Sequence, residues 1–181
     1  DIIIIPPIAP LLEQIHTTIP HCNILINNAS VFERCEFLET DEELFDRHFS
    51  INFKAPFFLT QSFAKKFSNN YGACVINIID TDISQNQISH FAYLLSKKTL
   101  ADFTIMVARA LGKNVRVNAV CPGSIIPSSP DYAGYDEKVK ELVPLKLQPS
   151  LDELSEAVFW LTQQHSITGQ IIYVDGGKHV L

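Results

Sequence analysis

Four short apolar runs divide this chain, and they alternate with longer segments of helical periodicity. The runs cover 23–27, 73–79, 115–120 and 171–174, and the first is apolar on both faces, as in a strand of a parallel sheet buried between two layers. The helical patterns cover 11–18, 40 to about 67, 91–111 and 151–163. This alternation predicts an α/β fold, a doubly wound parallel sheet with helices on both faces.

Several residues mark where these helices begin, bend or end. Thr40 through Glu43 form a predicted capping box at the start of the second helix. Pro56 has no backbone N–H, so we expect it to bend that helix or remove one hydrogen bond. Gly112 is expected to cap the third helix at its C-terminus, and the stretch 122–135, rich in Pro, Gly and Ser, predicts a loop.

Composition argues against several classes of function. The 181 residues fit one domain, and a net charge of −6 without a Lys/Arg cluster argues against nucleic acid as a partner. No apolar run reaches the ~18 residues of a membrane span, and no histidine spacing is typical of a metal site. The opening residues lack the features of a signal peptide, which predicts a cytoplasmic location. Four scattered cysteines are expected to be reduced thiols: Cys22, Cys35, Cys74 and Cys121.

Tyr93 and Lys97 give the strongest chemical signal in the chain. Residues four apart lie on one face of a helix. A lysine cation beside a phenol favours the phenolate, so we expect Lys97 to lower the pKa of Tyr93 and make it a usable proton donor. An acid, Asp80, lies thirteen residues upstream of Tyr93. The alternative is a pair of solvent-facing helix residues.

Five motifs occur together in a characteristic order. They are the turn Asn27–Ser30, Asn52 on the long helix, Tyr93 with Lys97, Pro122–Gly123, and Asp175–Gly177. In this order and approximate spacing, the chain resembles the short-chain dehydrogenase/reductase family. The resemblance covers nearly all of the chain, and it implies a Rossmann-like sheet and an NAD(P)-dependent oxidoreductase.

The resemblance also implies a role for each motif. Tyr93 would donate a proton, Lys97 would bind the nicotinamide ribose, and Asn52 would hold a water in a proton relay. The implied catalytic residues are Tyr93, Lys97, Asp80 and Asn52. The implied cofactor-binding residues are Asn28, Ala29, Ser30, Tyr93, Lys97, Pro122, Gly123 and Ser124. The implied substrate-binding residues are Phe32, Asp80 and Tyr93.

Asp80 is a departure from most of the family, which has serine at this position. An ionised aspartate cannot donate a hydrogen bond to a carbonyl oxygen, so a plain ketone is a poorer candidate substrate. Asp80 together with Phe32 resembles the pteridine reductases and the related dihydromonapterin and dihydrofolate reductases. That resemblance implies a pterin-like substrate, on which Phe32 would stack, and NADPH as cofactor, with NADH possible.

The glycine-rich turn that opens most family members has no counterpart in this sequence. No glycine occurs before Gly72. We therefore predict that residues 1–181 are the single C-terminal portion of a Rossmann-type reductase domain, lacking the first strands. The strand 23–27 would then be an edge strand, and an apolar edge predicts aggregation or swapped assembly.

Two other functions stay open at this stage. One is a truncated, non-catalytic remnant that acts through self-association or partner binding; the other is a reductase of a small carbonyl compound. A phenylalanine-rich stripe is expected to serve packing, and in the family such helices pair between subunits, which implies a homo-oligomer, dimer or tetramer. The stripe comprises Phe53, Phe57, Phe58, Phe63 and Phe67.

Overall fold

The structure, a computed structural model, describes residues 14, 17–18, 22–66, 72–125 and 140–181. Four strands form one sheet in which neighbours are parallel, in the order β1 (Ile24–Asn27), β2 (Ala73–Ile78), β3 (Val115–Pro122) and β4 (Ile171–Val174). The predicted α/β class and parallel sheet are therefore confirmed. The observed strands differ from the predicted ones by at most two residues at either end.

The helices occupy the predicted segments, apart from the first. They are α1 (Glu42–Phe49), α2 (Ala55–Lys66), α3 (Phe91–Leu111) and α4 (Leu151–Gln163). A π-helical turn, Ser50–Lys54, joins α1 to α2, and short 3-10 turns cover Phe37–Glu39, Thr81–Ser84 and Lys178–Val180. Most of the predicted helix 11–18 and the loop beyond 125 lie outside the described residues.

The helix starts partly correct the sequence prediction. The prediction that Thr40 caps α1 is wrong, because Asp41 is the N-cap and its carboxylate accepts from the Leu44 N–H at 2.8 Å. The Thr40 hydroxyl donates instead to the Glu36 carbonyl. Ser150 and Glu153 form a complete capping box at the start of α4. The helical pattern is interrupted near Pro56 by the π-helical turn Ser50–Lys54, and the predicted bend or lost hydrogen bond stays a prediction.

Helices cover both faces of the sheet. On one face, α2 and α3 pack on β2 and β3 through residues such as Phe63, Val75 and Val117. On the other face, Leu161 of α4 packs on Ile76 and Val120. All six of these side chains are almost fully buried, which confirms the doubly wound arrangement. Of the phenylalanine stripe, Phe53 and Phe57 pack against Phe103, Phe58 is exposed, and Phe67 lies outside the described residues.

Buried side-chain amides link neighbouring strands near their carboxyl ends. Asn27 of β1 donates to the Asn77 side chain of β2 at 2.7 Å, and Asn77 donates to the Thr104 hydroxyl of α3 at 2.8 Å. Asn27 and Asn77 are also paired in the strand register. A buried amide must keep its hydrogen bonds, so a shift of register would leave these groups unpaired. The hydrogen bonds of Asn27 and Asn77 therefore fix the register of β1 and β2 at the edge of the sheet where the candidate site lies.

Within the described residues, no helix is long and apolar enough to cross a membrane. Neither do those ranges bring together a group of His, Cys, Asp or Glu side chains able to hold a metal ion. All four cysteines are free, as predicted.

Strand β1 carries a prediction about self-association. Within 22–66, 72–125 and 140–181, β1 pairs with β2 alone, and Ile24 and Ile26 are 38% and 46% exposed. Exposed apolar side chains on an unpaired edge favour pairing between copies. We expect the wild-type chain to self-associate, and Ile26→Lys to raise its monomer fraction in size-exclusion chromatography with light scattering.

The matched control is Ile88→Lys, because Ile88 is 71% exposed and lies on no strand. That substitution adds the same charge, and it should leave the association unchanged. A wild-type chain that stays monomeric at every concentration tested would contradict the prediction.

Candidate active site

The predicted site residues lie at the carboxyl edge of the parallel sheet. Asn28–Ser30 follow β1, Asp80 follows β2, and Pro122–Ser124 end β3. Tyr93 and Lys97 face this edge from the first turns of α3. Ligands of open parallel sheets bind outside the carboxyl ends of the strands, so the topology alone gathers these residues at a suitable place.

Tyr93 and Asp80 are in direct contact. The Tyr93 hydroxyl donates to Asp80 Oδ2 at 2.6 Å. The other carboxylate oxygen, Oδ1, accepts from the Asp82 N–H at 2.8 Å, which fixes the carboxyl group at the start of the 3-10 turn. Tyr93 is 7% exposed, so the pair lies where water screens it weakly.

The expected effect of Lys97 on Tyr93 is wrong. Burial, followed by the charge of Asp80 and the hydrogen bond to it, raises the pKa of Tyr93 well above that of a free phenol. Lys97 Nζ donates to the Ile78 carbonyl at 2.9 Å and lies 5.8 Å from the centroid of the Tyr93 ring. Burial alone raises the pKa of the phenol, and the anion Asp80, which occupies the position beside the phenol oxygen that the prediction gave to a cation, raises it further.

Burial also shifts the two charged neighbours of Tyr93. It lowers the pKa of Lys97 to about 8, against the opposing attraction of Asp80. It raises the pKa of Asp80, although the Tyr93 hydroxyl and the Asp82 N–H favour the carboxylate. The assumption that Asp80 is always an ionised acceptor therefore needs revision, because its protonated form, which can donate, is closer to neutral pH than in an exposed aspartate.

Asn52 ties three parts of the site together. It lies in the π-helical turn with its side chain fully buried. Its amide oxygen accepts from the Ser30 hydroxyl at 3.1 Å and the Val31 N–H at 2.9 Å. Its amide nitrogen donates to the Val31 carbonyl and the Ser96 hydroxyl, each at 3.0 Å. All four hydrogen bonds of the side chain go to protein groups.

The predicted water relay through Asn52 must therefore use another group. Pro56 has no N–H, so the backbone carbonyl of Asn52 lacks the donor that a regular helix would supply four residues on. A water relay through the Asn52 carbonyl stays a prediction.

Phe32 lies at the mouth of the site, next to the reactive pair. Its ring makes an edge contact with Tyr93, with centroids 4.7 Å apart at 83°, and stacks on His90 at 4.2 Å and 11°. Phe32 remains 50% exposed, so it can still contact a ligand. Burial, followed by the charge of nearby Arg34, lowers the pKa of His90, which keeps its ring neutral at pH 7.

His90 and His48 carry no sequence signal of a role in the site, yet both hold the loop that carries Phe32. The Cys35 N–H donates to the Ser89 carbonyl, and the Phe91 N–H donates to the Cys35 carbonyl, so the loop is bonded to the segment around His90. His48 is fully buried and accepts from the Glu33 N–H at 3.3 Å. These contacts join separate segments of the chain, so no local sequence pattern predicts them.

Gly123 and the Asp175–Gly177 motif pack directly against each other. A Cβ atom at Gly123 would lie 2.7 Å from the Asp175 Cα, which no side chain tolerates. Hydrogen bonds from Thr81 and His179 and from the Gly177 N–H outweigh the effect of burial and lower the pKa of Asp175. The two motifs form one structural unit at the ends of β3 and β4.

The described residues suit the nicotinamide end of a dinucleotide. Asn28–Ser30 are exposed, Lys97 offers ammonium donors, and Gly123 lets backbone lie close to a ligand. A glycine-rich turn that could hold a pyrophosphate is absent from the sequence, since its first glycine is Gly72. The described residues therefore suit the nicotinamide half of such a cofactor.

Comparison with known proteins identifies relatives along the whole chain. A family profile described as Enoyl-(Acyl carrier protein) reductase matches residues 7–179. The chain is 29% identical to 2-dehydro-3-deoxy-D-gluconate 5-dehydrogenase of Escherichia coli, over 94% of this chain and 70% of that protein. It is also 29% identical to pteridine reductase 1 of Leishmania tarentolae, over 86% of this chain and 62% of that protein. The structure of FolM alternative dihydrofolate reductase 1 from Brucella canis, complexed with NADP, aligns with a TM-score of 0.88 at 34% identity, covering 97% of this chain and 70% of that chain.

Lys97 gives a stability prediction because its pKa is lowered to about 8 from 10.5. Folding disfavours the charged ammonium, so the destabilisation is full below pH 8 and disappears as pH rises towards 10.5. At pH 7, Lys97→Met should raise the free energy of unfolding by about 1–3 kcal/mol, and the difference should vanish near pH 10. Urea unfolding at both pH values measures it.

The neighbouring Lys98 supplies the control, since its ammonium bonds Asn86 near the surface. Lys98→Met should leave the pH dependence of unfolding unchanged. Equal stability of wild type and Lys97→Met at pH 7 would show that the buried ammonium carries no such penalty.

Proposed function

This chain belongs to the short-chain dehydrogenase/reductase family of oxidoreductases, and we propose that it reduces a pterin or a related flat nitrogen heterocycle with NADPH. The single observation that carries the proposal is the meeting of Asp80, Tyr93 and Phe32 at one point. A carboxyl group recognises the N–H and amino donors of such a heterocycle, and a half-exposed aromatic ring stacks on its face.

The proton would reach the substrate through Tyr93. Its raised pKa keeps the phenol protonated in the resting enzyme, and its O–H is already hydrogen-bonded to Asp80. A protonated Asp80 could donate to the phenol oxygen while the phenol gives its own proton to a ring nitrogen, and the raised pKa of Asp80 makes that form accessible. A bound nicotinamide would supply the hydride.

Lys97 would support the same step by charge. As Tyr93 loses its proton, the developing phenolate would be stabilised by an ammonium near its ring. Lys97 would also donate to the ribose of the cofactor, beside Asn28–Ser30 and Pro122–Ser124. The alternative dihydrofolate reductase bound to NADP favours NADPH over NADH as cofactor.

Two features of the wider protein belong to this proposal. We infer that residues 1–181 form the C-terminal portion of a reductase domain, because the chain spans 70% of the aligned reductase and lacks a glycine-rich turn. We also infer that the enzyme is a homo-oligomer, a state that the exposed apolar residues of α3, Leu95, Ile105 and Met106, favour.

A carbonyl compound is the second candidate substrate, because the relatives of this chain differ in their named activities. Pteridine reductase 1 supports a pterin, whereas the dehydrogenase of 2-dehydro-3-deoxy-D-gluconate is named for a sugar acid. The position of Asp80 beside Tyr93 favours the pterin, because a carboxylate repels the electron-rich oxygen of a ketone.

The first test is turnover by Tyr93→Phe. NADPH oxidation with a dihydropteridine should fall by about 100-fold or more, because phenylalanine keeps the ring and removes the proton. Tyr173→Phe is the control, since Tyr173 stacks on His179 away from the reactive pair. Full turnover by Tyr93→Phe would refute its role, and a wild-type chain that neither binds NADPH nor turns over substrate would favour the non-catalytic remnant.

The second test exchanges the acid for a hydroxyl. Asp80→Ser should lose pterin turnover and gain reduction of a simple ketone by about 10-fold, because serine can donate to a carbonyl oxygen. Initial rates with one pterin and one ketone, measured on samples with matched melting temperatures, decide the outcome. A variant that loses the pterin without any gain on the ketone would contradict this account of Asp80.

A further inference from the structure

The C-terminal segment packs against the turn that follows Asp80. The Thr81 hydroxyl donates to the Asp175 carboxylate, and the Gln85 amide donates to the Lys178 carbonyl. Lys178 Nζ forms an ion pair with Asp82 Oδ1 at 2.5 Å. The turn Thr81–Ser84 is thus held by residues more than ninety positions further along the chain.

The ion pair between Lys178 and Asp82 is partly shielded from water. The two side chains are 21% and 27% exposed, so solvent and salt screen them less than a surface pair. The N–H of Asp82 donates to Asp80, and Asp80 accepts from Tyr93 on its other oxygen. A continuous series of contacts therefore runs from Lys178 through Asp82 and Asp80 to the phenol.

The charge of Asp82 works against an ionised Asp80. Burial, followed by this like charge, favours the protonated acid, whereas the Tyr93 hydroxyl, the Asp82 N–H and the Lys178 cation favour the carboxylate and act to lower its pKa. Six titratable or charged groups face Asp80. Asp82 lies in its own turn, Tyr93 and Lys97 lie on α3, and His90 directly precedes that helix. Cys121 lies on β3, and Lys178 lies in the C-terminal segment.

We propose that Lys178 is a positioning residue, which neutralises Asp82 and holds the turn so that Asp80 meets Tyr93 as a carboxylate. The inference rests on the proposed function for its catalytic meaning, but its physical content concerns Asp80 alone. Lys97 does not replace Lys178 in this role, because its ammonium is directed to the Ile78 carbonyl.

The test is the titration of the Asp80 carboxyl carbon by NMR in the full chain, assigned with Asp80→Asn. Lys178→Met should raise the pKa of Asp80 by roughly one unit, and Asp82→Asn should lower it by a similar amount. Lys178→Arg keeps the charge and should restore the wild-type titration. The double variant Lys178→Met/Asp82→Asn removes both charges and should return close to wild type.

The titration tests the role of Lys178 independently of the proposed reductase activity. Unchanged titration in Lys178→Met and in Asp82→Asn would overturn it; if Lys178→Met fails to fold, Asp82→Asn and Lys178→Arg still decide it. With turnover, the limb of the kcat/KM profile that reports Asp80 should move with the titration in Lys178→Met, while a merely structural role would lower kcat without moving that limb. Absence of turnover in the wild type would refute the proposed function and leave the titration to judge Lys178.

Discussion

The buried carboxamide of Asn52 is the interaction on which the rest of the site depends. Its four hydrogen bonds join the loop after β1, the π-helical turn and α3. Through the Ser96 hydroxyl, which donates to the Tyr93 carbonyl at 2.6 Å, the same amide reaches the backbone of the reactive tyrosine. Removal of one partner from such a network leaves several buried polar groups unpaired, so loss of Asn52 should weaken the connection between the loop that carries Phe32 and the helix that carries Tyr93.

The electrostatics of the site follow from burial rather than from pairing. A phenol, a carboxyl group and an ammonium lie within one poorly solvated region, and each has its pKa shifted away from the charged form. The shifts of Asp80 and Lys97 oppose stability at pH 7, because both groups are charged there in the unfolded chain, whereas Tyr93 is neutral at pH 7 in both states. Perturbed pKa values of this kind are common where side chains take part in proton transfer. The arrangement is typical of a reactive site, because a purely structural role would not require burial that lowers the free energy of unfolding.

The sequence was sufficient for the parallel sheet, since short apolar runs such as 73–79 alternate with helical segments along the chain. It was also sufficient for the contact of Asp80 with Tyr93, since family resemblance supplied the spacing. It was insufficient for the sign of the Tyr93 pKa shift, which depends first on how deeply the phenol is buried and then on the Asp80 carboxylate beside its oxygen. His90 and Lys178 were missed because their contacts join distant segments. The N-cap was misplaced by one residue because Thr40 and Asp41 are both good caps, and the Thr40 hydroxyl instead bonds back to the Glu36 carbonyl of the preceding turn.

An aspartate in place of the usual serine changes the number of protons that the site can hold. A serine hydroxyl cannot ionise in this range, so a serine–tyrosine pair has one exchangeable proton to give, that of the phenol. Asp80 adds a second titratable group in direct contact with Tyr93, and burial brings its titration nearer to neutral pH. A site that can present either a carboxylate or a carboxylic acid matches a heterocycle whose ring nitrogens offer N–H donors and also accept protons. A ketone presents an acceptor only, which leaves the carboxylate form without a partner.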